Sequence, residues 1–299
     1  MDQRIQIIGQ IESTLRREFL PIKFNRDCIF LLAGSFSRGD IRLDNQRILS
    51  DLETVLIYNT NFDFDDFNSR VSKVNLMLKD FGIALEVDYV RYAAIIGKPV
   101  LMHVYEAIMS KVIIAGKLDV LVDISLDERS VKDVRIHRMF AQICRSKDDL
   151  VAFTDGCRKD ATDLLSGMYL SLPDSHRCFV KTKKERLRVL ENLIDDRTYS
   201  HYLKALNNRL DYREFVELMN QNRGSLVYGD TLMGQPFKVL PVLNRVYFNL
   251  SLPFFLFIHK RYLLALNNSS DYIQFRQRLS SLRAYKFLFR LFYNYLRKC

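Results

Sequence analysis

Two short apolar runs, and the turn between them, constrain this chain most. Residues 28–33 read CIFLLA and residues 51–58 read DLETVLIY. Both are too short for ordinary helices and are rich in β-branched or aromatic side chains, so each is expected to form a strand, the first of them buried. The first run ends at Gly34-Ser35, and the second opens with Asp51-Leu52-Glu53. Side chains two apart on a strand share a face, so Asp51 and Glu53 project together and Leu52 points the other way. Neighbouring carboxylates repel unless a cation lies between them. A hard divalent ion such as Mg²⁺ suits them, because it takes oxygen ligands and often shares one or two carboxylates with substrate phosphates.

A third run, residues 83–90, reads IALEVDYV and carries Glu86 and Asp88 on one face by the same period of two. Beside the Asp51 strand, either acid could complete a metal site, with Asp88 the preferred one. On the other side of the site, Gly34 lets a backbone approach a phosphate closely. A helical turn starting at Ser35 would aim free N–H groups and a hydroxyl at the same place. Arg38 is expected either at the surface or on a phosphate.

The remaining pattern divides the chain. Helical spacing appears at Ile5, Ile8, Ile11 and Leu15 and again at Phe67, Val71, Val74 and Leu78, the latter stopped by Gly82. Residues 100–110 read as a helix and 112–116 as a short strand. After about residue 130 the chain reads as helix after helix: 134–152, 158–171, 184–196, 198–207, 212–222, 236–250, 254–267 and 271–297. Neither repeats nor low-complexity segments interrupt it. The expectation is an α+β fold, with a small mixed sheet in residues 1–125 and an all-helical, basic domain in residues 126–299.

Charge follows the same division. Of 45 Lys and Arg against 35 Asp and Glu, residues 1–130 hold 16 and 19, which leaves 29 and 16 for residues 131–299. The basic excess lies wholly in the helical part and points to an anionic partner. Lys181 and Lys184, within VKTKKERLRVL, are candidates to meet a triphosphate. The aromatic stripe Leu282, Phe287, Leu291 and Tyr295 is expected in the core.

Other classes are disfavoured. The five cysteines are scattered and lack CxxC spacing, so they read as reduced structural thiols. The histidines lack metal-ligand spacing and read as structural. The longest apolar stretch, Leu252–Ile258, runs into His259, Lys260 and Arg261, and no stretch reaches the roughly 18 residues of a membrane span. The first residues lack the order of a signal peptide, so a cytoplasmic protein is expected.

GSFSRG, then SDLETVLIY, then an acid on a later strand resembles the nucleotidyltransferase superfamily typified by DNA polymerase beta. Arg38-Gly39 after Gly34-Ser35 is similar to the GSxxRG of bacterial members, and KVIIAGK looks like the short strand and glycine that often follow the third acid. The likeness covers residues 27–117. It implies a nucleotidyltransferase catalytic domain and transfer of a nucleoside monophosphate from a nucleoside triphosphate to an acceptor hydroxyl or phosphate, with release of pyrophosphate. Gly34 and Ser35 would bind the triphosphate. Asp51 and Glu53 would hold two Mg²⁺ or Mn²⁺ ions, and Asp88 or Glu86 would complete the site and activate the acceptor. The acceptor expected beside a basic lobe is anionic: RNA, another nucleotide or a phosphorylated glycan. Two alternatives remain at this level, namely a non-catalytic nucleotide- or nucleic-acid-binding module and an oligonucleotide second-messenger synthase. The Gly34-to-Asp51 spacing is long for the family, and Glu53 stands where Asp is commoner.

Overall fold

A computed structural model describes residues 3–22, 28–44, 47–48, 50–97, 99–117, 124–126, 134–147, 149–172, 179–221 and 242–285. The chain divides into two compact units, Met1–Ser130 with His176–Thr182, and Val131–Ser175 with Lys183–Cys299.

The first unit is built on a mixed sheet of four strands. They are β1 (Ile29–Leu32), β4 (Leu52–Tyr58), β5 (Leu85–Arg91) and β7 (Ile113–Gly116), in the order β5-β4-β1-β7. Central β1 pairs antiparallel with β4 and β7, whereas β4 and β5 run parallel. A parallel pair needs a crossover, and α3 (Phe64–Leu78) supplies it. Asp63 caps that helix by accepting hydrogen bonds from the backbone N–H groups of Asp65 and Asp66, each at 3.1 Å.

Helices α1 (Gln3–Phe19) and α3 cover one sheet face. The buried stripe of α1 is Ile7, Ile11, Leu15 and Phe19; of the expected row, Ile11 and Leu15 are buried and Ile8 packs against the core, whereas Ile5 is exposed. Four-residue steps stay on one ridge of a helix, and that ridge meets β1 and α3. Phe19, Phe30 and Phe67 join there, with ring centroids 4.7 Å, 5.1 Å and 5.2 Å apart. Rings tilted in this way add about 1 kcal/mol per pair beyond their burial.

The polar stretch 38–50 contains an unforeseen hairpin of β2 (Leu43–Asp44) and β3 (Arg47–Ile48). Ser50 secures its base by accepting the Arg42 N–H at 2.9 Å. A short helix α4 (Tyr92–Ile95) follows β5, and β6 (Pro99–Val100) pairs with β8 (Ser125–Leu126). Between them, α5 (Met102–Ser110) packs against β1 and β4.

The second unit is helical throughout its described residues. Its centre is α7 (Leu150–Leu170), against which α6 (Val134–Arg145), α8 (Lys183–Val189), α9 (Asp196–Leu206), α10 (Tyr212–Gln221) and α12 (Tyr272–Ser280) pack. The break between α6 and α7 falls at residues 146–149, where Asp149 caps α7 by accepting the Ala152 N–H at 2.8 Å. It does not fall at 153–157, although Gly156 there resembles a stop. The next break likewise moves to residues 190–195, because Asp195 caps α9 through the Thr198 N–H at 2.9 Å. The two helices expected at 236–250 and 254–267 are one, α11 (Val242–Asn268), which continues through Pro253; residues 236–241 lie outside the described set. The last expected helix shows as α12 and a 3₁₀ turn, Ser281–Tyr285; Phe287, Leu291 and Tyr295 of the aromatic stripe lie outside the described residues.

A charged network crosses the middle of this unit. Asp160, fully buried, accepts from Arg145 at 2.7 Å and from Gln142 at 3.0 Å, while Tyr262 donates to Gln142 at 2.7 Å. Asp163 receives the Lys183 ammonium at 2.5 Å and lies 3.2 Å from the Arg138 guanidinium. Burial opposes ionisation of Asp163, but Arg138, Lys183 and Lys159 outweigh it and hold its carboxyl well below the usual carboxylate range.

Among the described residues, Cys28 and Cys157 are buried and Cys144 is half-buried, none of them in a disulfide. Among the described residues no helix is long and apolar enough to cross a membrane.

Candidate functional site

The site begins where β1 ends. Leu32 pairs with Thr54, and the Ala33 N–H donates to the Glu53 carbonyl at 2.9 Å. Gly34 therefore emerges beside Glu53 on the neighbouring strand. Its φ is +59°, a left-handed conformation that favours glycine. A Cβ there would stand 2.0 Å from Glu53 Oε2 and 3.0 Å from its carboxyl carbon. The Glu53 carboxylate thus occupies the space that any other residue at 34 would fill. Two motifs separated in sequence by a long loop meet at this contact.

From Gly34 the chain turns at once into α2 (Gly34–Arg38), closed by Gly39 at φ +78°. Ser35 is half-buried, and its carbonyl accepts the Asp40 N–H at 3.0 Å. Ser37 donates to the Gly34 carbonyl at 3.0 Å and lies 3.4 Å from the Ser110 hydroxyl of α5. The Arg38 side chain is 9% exposed and lies between Asp40 at 3.1 Å and Glu106 at 3.8 Å. It forms ion pairs with these carboxylates and does not lie on the open surface.

The acids lie along one face of the β4–β5 pair. Asp51 immediately precedes β4, Glu53 is its second residue, and both are exposed. Register decides how β5 meets them. Glu53 is paired with Glu86, and Val55 with Asp88. Registered partners in neighbouring strands lie about 4.8 Å apart. Asp88 is the diagonal neighbour of Glu53, about 7–8 Å away. Glu86 is exposed and Asp88 half-buried. Thus both acids of β5 flank Glu53, with Glu86 nearer by register.

A further residue joins Asp88 that sequence spacing did not single out. His103, in the first turn of α5, places Nε2 3.0 Å from Asp88 Oδ2. It was expected to be structural because no histidine has ligand-like neighbours in sequence. Only the packing of α5 over the acid-bearing face brings it there.

Lys181 and Lys184 are exposed, the first in the sheet-bearing unit and the second in the helical one. The intervening run splits sharply. Lys183 is buried on Asp163, and Arg186 is fully buried with its guanidinium carbon 5.2 Å from the centre of the Tyr169 ring.

Among the described residues no group of three or more His, Cys, Asp and Glu side chains forms a ready-made metal cage. The acids make a row of oxygen donors instead. Such a row fits Mg²⁺ or Mn²⁺, which take hard oxygen ligands and complete their shell with phosphate and water. The space over Gly34 that a Cβ would fill is what lets the Glu53 carboxylate take its place in that row. Comparison with protein-family models, with curated proteins and with solved structures yields no match.

Proposed function

We propose that the chain is a metal-dependent nucleotidyltransferase that moves a nucleoside monophosphate from a nucleoside triphosphate to an anionic acceptor. The observation that carries this function is the contact of Glu53 with Gly34, where a Cβ would be 2.0 Å from the carboxylate. It joins a phosphate-type turn to a two-carboxylate strand, a conjunction that a merely polar strand end has no need of.

Asp51 and Glu53 would hold two divalent ions, with Glu86 and Asp88 completing the donor row. When bound, those ions would neutralise charge on the triphosphate. The chain's own residues do the rest. Gly34 leaves room for the Glu53 carboxylate beside the backbone, and Ser35 offers its hydroxyl to a phosphate oxygen. Asp88 would take the proton of the acceptor hydroxyl as its oxygen bonds to the α-phosphorus. The bond from that phosphorus to the bridging oxygen breaks, and pyrophosphate leaves. Arg38 supports the turn through Asp40 and Glu106. Lys181 and Lys184 remain candidates for the triphosphate or the acceptor.

The test is incubation with each of the four α-³²P nucleoside triphosphates and Mg²⁺ or Mn²⁺, with and without cellular RNA and small-molecule extract. Label transfer or pyrophosphate release is expected, reduced at least about 100-fold by Asp51→Ala/Glu53→Ala. Product formed from the nucleotide alone would identify a second-messenger synthase. Metal-independent RNA binding without turnover would leave a binding module.

A further inference from the structure

Granted the nucleotidyl transfer proposed above, we infer that His103 is a positioning residue that holds the Asp88 carboxylate in place for a divalent cation. Strand β5 is an edge strand, so Asp88 has β4 on one side only. The Asp88 side chain is 42% exposed, and so is that of His103. A half-exposed carboxylate on an edge strand rotates among rotamers unless something holds it, and a cation binding there must first order it.

His103 supplies that order. Its Nε2 stands 3.0 Å from Asp88 Oδ2, in direct contact with one carboxylate oxygen. A carboxylate offers about four lone-pair directions, so one such contact does not exhaust it. The helix that carries the imidazole is anchored, because neighbouring Val104, Tyr105, Ala107 and Ile108 of α5 are buried. Hydrogen bonds of this kind behind a ligand set its orientation, and their loss typically weakens metal binding about 10–100-fold. The pair here is half in water, so the lower end applies.

Binding of Mn²⁺ alone, followed by loss of the free-ion EPR signal, tests this without turnover. His103→Ala should weaken Mn²⁺ binding about 10-fold. His103→Gln, whose amide N–H can replace the imidazole donor, should stay within about 3-fold of the parent. In an Asp88→Asn background, which itself binds Mn²⁺ more weakly, removing His103 should add less than about 2-fold, since the two act as one unit. Unchanged binding in His103→Ala, unchanged binding in Asp88→Asn, or a full additional loss in the double variant would overturn the role of His103. Should His103→Ala fail to fold, His103→Leu, which keeps side-chain bulk without a donor, carries the same comparison. Unchanged Mn²⁺ binding in Asp51→Ala/Glu53→Ala is a separate outcome, and it would sink the metal site itself.

Discussion

Gly34 shows how one missing methyl group links two motifs. An alanine there faces a left-handed φ, which carries a penalty of about 1–2 kcal/mol, and a Cβ 2.0 Å from Glu53 Oε2. Something must give, and the exposed Glu53 side chain gives more readily than the paired backbone of β1 and β4. Gly34→Ala should therefore fold, with an unfolding free energy lowered by about 1–3 kcal/mol, yet lose Mn²⁺ binding and nucleotidyl transfer. Thermal unfolding beside a Mn²⁺ titration checks this; a variant that binds the ion as tightly as the parent would separate the glycine from the site. Arg38 teaches the reverse lesson. Its sequence position is that of a phosphate contact, and the fold adds ion pairs to Asp40 and Glu106 that tie it to the turn.

At the scale of an element, α7 contradicts simple propensity. Glycine in a helix interior weakens it by about 1 kcal/mol relative to alanine, and Gly156 lies in the gap between the two helices that spacing predicts over 134–152 and 158–171. It is buried within α7, and a Cβ there would stand 1.9 Å from Arg145 Nη1. Arginine ends are usually free to move aside. This one is not, because it reaches across the glycine to fully buried Asp160 at 2.7 Å. Gly156→Ala should therefore destabilise the protein by about 1–3 kcal/mol, opposite in sign to the propensity gain. Chemical denaturation decides it; stabilisation would mean that Arg145 can leave Asp160 at little cost. The same network explains Lys183, whose ammonium is buried on Asp163 while Lys181 and Lys184 beside it are exposed.

For the whole molecule, charge is the broadest statement available. Residues 1–130 carry 16 basic and 19 acidic side chains, against 29 and 16 in residues 131–299. If the anionic acceptor is RNA, the basic part meets its phosphates. Each phosphate contact contributes a slope of about −0.7 in log affinity against log salt for a single strand. Raising salt from about 50 to 200 mM should then weaken RNA binding at least about 10-fold through a few such contacts. Asp51→Ala/Glu53→Ala should show the same slope, because under the proposed function those acids hold the metal ions rather than the RNA phosphates. Filter binding across a salt series measures it, and an affinity indifferent to salt would remove RNA from the acceptors.

What the sequence by itself determined is what is written locally. A short, continuous apolar run marked β1 and period-two placement of acids marked β4 and β5, the 3.6-residue period marked most helices, and the division near residue 130 followed from the change between them. Gly34-Ser35 and Asp51-x-Glu53 were legible for the same reason, since each motif lies within a few residues. Tertiary structure decided everything that depends on pairing between distant segments. Register set Glu86, more closely than Asp88, beside Glu53. Packing of α5 brought His103 to Asp88, and caps at Asp149 and Asp195, together with buried Asp160, chose the helix breaks and the glycine. Sequence spacing carries no record of these contacts, because their free energy comes from surfaces that meet only after the chain has folded.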